Sequence, residues 1–205
     1  MAALSSLAGR RVAGILVTTS RRPSPRVRSF VKDLVGVIPG AHRFTRGHFS
    51  MSELAREAYN MGADRIVVVG ERRGNPGIVR VYGYTLDLLE AKNIVTFIVK
   101  GVTLSRETRT PPPPRGSFKR LVVTPLSEGV AEEFAEAFVI AFHARLKPGA
   151  GESYVEARIR GLDPRTVSVE FYLNGESRVG PRLKLGRPRE MVKRGVLREL
   201  GEAYG

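Results

Sequence analysis

The first apolar run, "VAGILVTT" at residues 12 to 19, is short, rich in β-branched residues and uninterrupted, the pattern of a buried strand. Behind it Ser24 and Pro25 supply an N-cap and a proline for the first helical position. Val27, Phe30, Val31, Leu34 and Ile38 then recur at helical spacing until Pro39-Gly40 stops them, which predicts a helix with one buried face. "AHRFTRG" is consistent with a short strand. Ser50 and Glu53 form a capping box ahead of a second helical stripe, Met51, Leu54, Ala55 and Ala58, which Gly62 closes. "RIVVVG", residues 65 to 70, reads most simply as a central parallel strand.

A βαβαβ order predicts a sheet with helices packed on it. "GERRGNPG" predicts a glycine-rich loop in which Asn75-Pro76 and the glycines serve turn chemistry, with Arg72 and Arg73 at its tip. It has neither the spacing of a P-loop nor a GxGxxG opening a helix. "IVRVYGY" and "NIVTFIVKGVTL" are further strands, and "RETRTPPPPRGS" has the composition of an extended, semi-rigid connection. A single domain over 1–205 is thus divided into an N-terminal half, 10–105, a Pro-rich connection, 106–115, and a C-terminal half, 116–200. The second half begins again with a strand, "RLVVTP", and a helix whose N-terminal end carries Glu128, Glu132 and Glu133 and whose far end carries Arg145 and Lys147. Alternation at Val155, Ala157 and Ile159, then at Val167, Val169, Phe171 and Leu173, predicts two strands, with Asn174-Gly175 as a hairpin signal. The closing strand, "RVGPRLKLG", presents Arg182 and Lys184 opposite Leu183 and Leu185.

Charge changes this picture. Of the net +14, residues 10 to 28 contribute +6 with no acid, and residues 178 to 198 contribute +7, leaving +1 for everything else. Solvation alone predicts charge spread evenly, whereas two concentrated segments predict a face for a polyanion, nucleic acid ahead of anionic lipid. Arg21, Arg22, Arg26 and Arg28 lie where a strand ends and a helix begins, and free N–H groups and the helix dipole favour a phosphate there. The competing use of these arginines is pairing with acids elsewhere in the fold. No cysteine is present, so disulfides, thiolate metal sites and cysteine nucleophiles are excluded. His42, His48 and His143 lack metal-ligand spacing, and no GxSxG elbow marks a serine nucleophile. The aromatic residues fall mostly within apolar patterns and read as core rather than as stacking platforms. No apolar run approaches the roughly 18 residues of a membrane span and the N-terminal residues lack a signal-peptide pattern, so a cytoplasmic protein without a membrane partner is expected.

Three segments together carry a family resemblance: "TSRRPSPRVRSFVKDL", "IPGAHRFTRG" with Arg43 and Arg46, and "ERRGNPG". With "VGPRLKL" near the end, they resemble the Brix-domain proteins of ribosome biogenesis, strongly over about the first 90 residues and generally thereafter. The chain is most similar to the small-subunit processing branch, and its size suggests an archaeal single-domain member. The resemblance implies an α/β (mixed α+β) fold of two similar halves, each related to the anticodon-binding domain of class II aminoacyl-tRNA synthetases. It also implies binding of ribosomal RNA precursors without catalysis or cofactor, with other assembly proteins as further partners. The residues expected to bind RNA are Arg21, Arg22, Arg26, Arg28, Arg43, Arg46, Arg72, Arg73, Arg182, Lys184 and Arg187. The rival readings are a transfer-RNA or other structured-RNA binder and an RNA-processing enzyme.

Overall fold

Strand β1 (Gly14–Thr19) is apolar through Val17 because both of its faces are covered: Ile15 and Val17 enter one core and Leu16 the other. The structure, a computed structural model, describes residues 14–84, 90–114 and 116–189. Arg10 and Arg11 of the first basic segment, Arg115 of the connection, and Lys193, Arg194 and Arg198 of the second basic segment lie outside the described residues. Helix α1 (Pro25–Val37) starts as its sequence requires, the Ser24 hydroxyl accepting from the Val27 N–H at 3.3 Å and Pro25 opening the first turn. Val27, Phe30, Val31, Leu34 and Val37 form its buried stripe. After β2 (Ala41–Arg43), α2 (Met51–Asn60) begins on the Ser50–Glu53 capping box and buries Leu54, Ala55 and Ala58.

β3 (Ala63–Arg72), β4 (Asn75–Tyr84) and β5 (Ala91–Thr103) form an antiparallel meander. The single turn of α3 (Ser105–Thr108) follows, then β6 (Arg120–Pro125), α4 (Val130–Phe142), and a second meander of β7 (Tyr154–Asp163), β8 (Thr166–Leu173) and β9 (Ser177–Arg189). The nine strands among the described residues belong to one sheet, ordered β2-β1-β3-β4-β5-β9-β8-β7-β6. One pairing scheme occurs twice. β1 is parallel to β3 at the head of the first meander, as β6 is parallel to β7 at the head of the second. Where β2 flanks β1, an isolated parallel bridge joins Arg145 to Val122 of β6. α2 has no counterpart among the described residues of the second half.

β3 differs from the expected central parallel strand, since it is parallel to β1 but antiparallel to β4. The expected glycine-rich loop is also far shorter than its composition implies. β3 runs on through Arg72 and β4 resumes at Asn75, so only Arg73 and Gly74 turn the chain, at φ 50° and 77°. Positive φ at both central residues is the requirement of a type I′ hairpin, whose twist matches the flanking strands.

α1 and α4 lie on one face of the sheet over the larger core, and α2 covers the other face of the first half only. α4 reaches across the two halves. Its Phe134, Phe138 and Phe142 surround Phe97 of β5, with ring centroids 6.3, 5.5 and 6.0 Å away. Deleting a buried phenylalanine in such a cluster costs about 3–5 kcal/mol. α1 reaches the second half through β9, where Gly180 holds φ +67° and any Cβ would collide with Cγ1 of Val37. The Pro-rich connection is fastened at the same place, Thr110 donating to the Gly180 carbonyl at 2.9 Å with Pro113 buried nearby in sequence.

Gly180→Ala therefore adds both backbone strain and a clash, and is expected to destabilise by on the order of 1–3 kcal/mol. Val37→Ala should cost less in that background than in the wild type, because it opens the space the new methyl needs. Urea unfolding of the four proteins in this cycle measures the coupling; strictly additive losses would show that the two residues do not meet.

Candidate nucleic-acid interface

The C-terminal ends of β1, β3 and β5 lie along one edge of the sheet, since β3 is parallel to β1 and two antiparallel steps restore that direction in β5. The basic residues gather along this edge. The β1–α1 turn carries Arg21 and Arg22, with Arg22 at φ 53°, and it is clasped to the β3–β4 hairpin carrying Arg72 and Arg73. The clasp consists of the Ser24 hydroxyl donating to the Gly74 carbonyl at 2.8 Å and of Glu71, whose carboxylate accepts from the Ser24 N–H at 2.6 Å and the Gly74 N–H at 3.2 Å. These bonds, the one from Ser24 foremost, hold the Glu71 carboxyl below the usual carboxylate range.

This clasp engages part of the helix end. Pro25 has no N–H, the Val27 N–H goes to Ser24, and the Ser24 N–H goes to Glu71. The protein's own carboxylate thus occupies the Ser24 N–H, while the Arg26 N–H of the first turn has no acceptor among the described residues.

The eleven residues expected to bind RNA differ in what they already hold. Arg21, Arg22, Arg43, Arg72, Arg73 and Lys184 are exposed and make no ion pair with any described residue. The long 3.4 Å bond from Arg21 to the His48 carbonyl leaves its charge available. Arg28 donates only to the Pro23 carbonyl, and the half-buried Arg46 donates to the Phe49 carbonyl at 3.2 Å. Burial, then the nearby Arg21, lowers the pKa of Arg46 from its ordinary value, without bringing an arginine near neutrality. The other three are engaged with acids. Arg26 forks onto Glu107 and donates to the Val102 carbonyl at 3.0 Å, tying α1 to the end of β5. Arg182 meets Glu170 at 2.5 Å, and Arg187 meets Glu133 of α4 at 3.0 Å. β9 therefore divides its charge between two faces, Arg182 and Lys184 on one and Arg187 on the helix side.

Two further cations belong to this region, Arg80 and Lys100, both exposed on the face of β4 and β5 opposite the larger core. Strand alternation in "IVRVY" and "FIVKG" was the available signal, with the charge on the outward register. Lys100, Arg72 and Arg73 line a cavity of about 410 Å³ that leads from the hairpin tip onto that face. Lys184 lies beyond it, in register with Gly101, while the Lys100 side chain passes over Gly186. Arg182 registers with Thr103, which places it on the same edge as Arg21, four strand spacings of about 4.8 Å away.

Among the described residues no helix packs on this face of β9, β8 and β7, where the strands show Lys184, Arg182, Arg178, Arg158 and Arg160 against Glu156 and Glu170. Tyr172 is covered by the Arg158 guanidinium at 4.0 Å, so its ring is not presented for stacking. The most exposed aromatic side chain among the described residues is Tyr59 on α2, at 55%. No group of three or more His, Asp or Glu side chains arranged to hold a metal ion occurs among them. No described helix is long and apolar enough to cross a membrane.

The fold is a mixed α/β architecture on one nine-stranded sheet, with a basic edge and a largely basic open face. No family model matches the chain. A probable Brix domain-containing ribosomal biogenesis protein of Aeropyrum pernix is 65% identical over 179 residues, which cover 87% of this chain and 98% of that protein. The crystal structure of the probable ribosomal biogenesis protein from that organism superposes with a TM-score of 0.83 over 88% of this chain and 99% of the other. Mil, an archaeal Imp4-like protein, shares the fold at TM-score 0.63 and 21% identity, over 85% and 98% of the two chains. A bovine U3 small nucleolar ribonucleoprotein protein, IMP4, is 42% identical over 62 residues, 30% of this chain and 21% of that one. The chain belongs to the Brix-domain family of ribosome biogenesis proteins.

The split among the arginines is testable by pH. Glu107 is held below the usual carboxylate range, first by the Arg26 hydrogen bond and then by the Leu104 N–H. A carboxylate with a depressed folded pKa adds stability that is complete above the unfolded value of about 4.3 and is lost as pH falls through the folded one. Arg26→Gln should lower the melting temperature at pH 7 and flatten its decline below about pH 4.3. Thermal melts from pH 7 to 3 measure this, and an unchanged acid limb would show that the pair does not form in solution.

Proposed function

We propose that this protein binds ribosomal RNA precursors without catalysing a reaction on them, holding the sugar-phosphate backbone along the sheet edge and onto the open face. The observation that carries this reading is the convergence of Arg21, Arg22, Arg72, Arg73 and Lys100, from three separate stretches of chain, with no described acid paired to any of them. Unpaired cations that the fold brings together, rather than merely leaves on the surface, suit an extended polyanion. The family's place in ribosome biogenesis, and the ribonucleoprotein named in the bovine relative, support ribosomal RNA or its precursor as that polyanion. Scarcity of free aromatic rings favours phosphate over base recognition. On the same reading each half is a version of the class II anticodon-binding module, which the recurring strand pairing supports, and other assembly proteins share the complex.

Affinity for a ribosomal RNA fragment should fall steeply with salt. Arg21→Ala with Arg22→Ala, and separately Arg72→Ala with Arg73→Ala, should each weaken binding by roughly tenfold or more. Each pair should also flatten the salt slope by about 0.7 for every single-strand phosphate that is no longer neutralised. Arg26→Gln, structural by the geometry above, should leave the slope unchanged. Titrations by fluorescence anisotropy decide this, and a salt-independent affinity would refute the phosphate reading. Transfer RNA in the same titrations, competing as well as the ribosomal fragment, would move the assignment to a general structured-RNA binder. Turnover of labelled RNA with magnesium would make the protein an enzyme.

A further inference from the structure

The kind of junction found at the basic edge recurs at the opposite edge of the sheet, where β6 and β7 end, with opposite chemistry. In the first half the β1–α1 turn is clasped to the β3–β4 hairpin. In the second half the equivalent β6–α4 turn is clasped to the equivalent β7–β8 hairpin, the Gly161 N–H donating to the Ser127 hydroxyl at 3.0 Å and the Leu126 N–H to the Ile159 carbonyl at 2.7 Å. Each junction borders a cavity of similar size, about 410 Å³ in the first half and about 400 Å³ in the second. The first is lined by Arg72, Arg73 and Lys100. The second is lined by Glu128 and Val130 on one side and by Leu162, Asp163 and Pro164 on the other.

Two large aliphatic side chains stand out at this second junction, Leu126 at 45% and Leu162 at 49% exposure. A single exposed leucine is ordinary, but here Leu162, near the end of β7, lines the open cavity and Leu126 lies on the turn bonded to the same strand. The surrounding charge is unlike the rest of the chain. Residues 121 to 144 contain Glu128, Glu132, Glu133 and Glu136 and not one Lys or Arg, in a chain of net charge +14. Asp163 adds a carboxylate from the hairpin, where it accepts from the Arg165 N–H at 2.8 Å. Glu132 accepts from the Gly129 N–H and Glu133 pairs with Arg187, while Glu128 has no ion-pair partner among the described residues. Arg160 and Arg165 lie at the two ends of the hairpin, and the Lys184 charge of β9 also acts on Asp163.

We propose that this junction docks a basic segment of a partner protein, an apolar side chain entering the cavity beside Leu162 while lysines or arginines meet Glu128, Glu132 and Asp163. Phosphate is repelled from the same carboxylates, so RNA is kept to the first junction and protein to the second. The two halves thus use one backbone arrangement for two classes of ligand. The inference stands apart from the RNA reading, because it rests on the apolar and acidic junction alone.

The test is a selection of phage-displayed peptides on the immobilised full-length protein, counter-selected on the Glu128→Lys, Leu162→Ser double variant. Peptides that depend on the junction should carry Lys or Arg around a Leu, Ile or Phe. A fluorescein-labelled copy of the best one should lose about tenfold or more of its affinity with Glu128→Lys, with Leu162→Ser or with Leu126→Ser, at unchanged melting temperature. Affinity for the ribosomal RNA fragment should be the same in all three variants. Recovery of acidic peptides, or of none that depend on these residues, would overturn the proposal. So would loss of RNA affinity in Leu162→Ser, which would make the junction part of the RNA surface. A dimer in sedimentation that Leu162→Ser dissolves would replace the foreign segment with a second copy of this chain, and would also overturn it.

Discussion

The antiparallel pairing of β5 with β9 is the constraint on which the remaining structure depends. Each strand ends its own meander, and their ladder fuses two half-sheets into one. The ladder has two irregularities, one between Thr96 and Ile98 and one between Val99 and Gly101, so it follows a local bend rather than a flat register. Two helices reinforce it from the same side. α4 of the second half packs its phenylalanines on Phe97 of β5, and α1 of the first half presses Val37 against Gly180 of β9. Each half thus contributes a helix that rests partly on the other half's last strand. The same ladder brings Arg182 to the edge where Arg21 lies and sets Lys184 beside Gly101, so the continuity of the basic surface follows from the pairing.

Much of the fold was legible because its elements announce themselves locally. The Ser24–Pro25 start of α1, the Ser50–Glu53 box of α2, and the Asn174–Gly175 turn are short-range signals, and each lies where it was expected. The glycine-rich segment misled in extent, because Gly70 and Gly77 lie in strands that a β-bulge joins irregularly, while the turn itself needs only Arg73 and Gly74. The site was legible by charge but not by partner. Arg26 and its Glu107 are 81 residues apart, and nothing in the sequence around Arg26 names an acid so distant. Arg80 and Lys100 escaped because each is a single charge in an apolar strand. Their importance depends on which sheet face lacks a helix, and that is decided by the whole topology.

The arginines of one short segment therefore serve different ends. Within eight residues, Arg21 and Arg22 project from the turn, Arg26 braces α1 to β5, and Arg28 folds back on the Pro23 carbonyl. Composition treats these as one cluster of charge, but desolvation and partners separate them. An arginine forked onto a carboxylate has little left to offer a phosphate, whereas one at a turn tip has its whole guanidinium. Glu71 shows the converse, a lone acid inside a basic junction, where its carboxylate binds backbone N–H groups and keeps two turns together while the surrounding arginines remain free.

The position of β5 in the sheet also has a consequence for how the chain is made. β5 is complete at residue 103, but its outer partner β9 does not begin until residue 177. During synthesis at about 5–20 residues per second, roughly 74 residues pass before that partner exists, so the hydrogen-bonding edge of a long apolar strand stands open for about 4 to 15 seconds. An unpaired edge of this kind recruits other strands. Through that interval the β5 edge of the growing first half remains open to strand pairing.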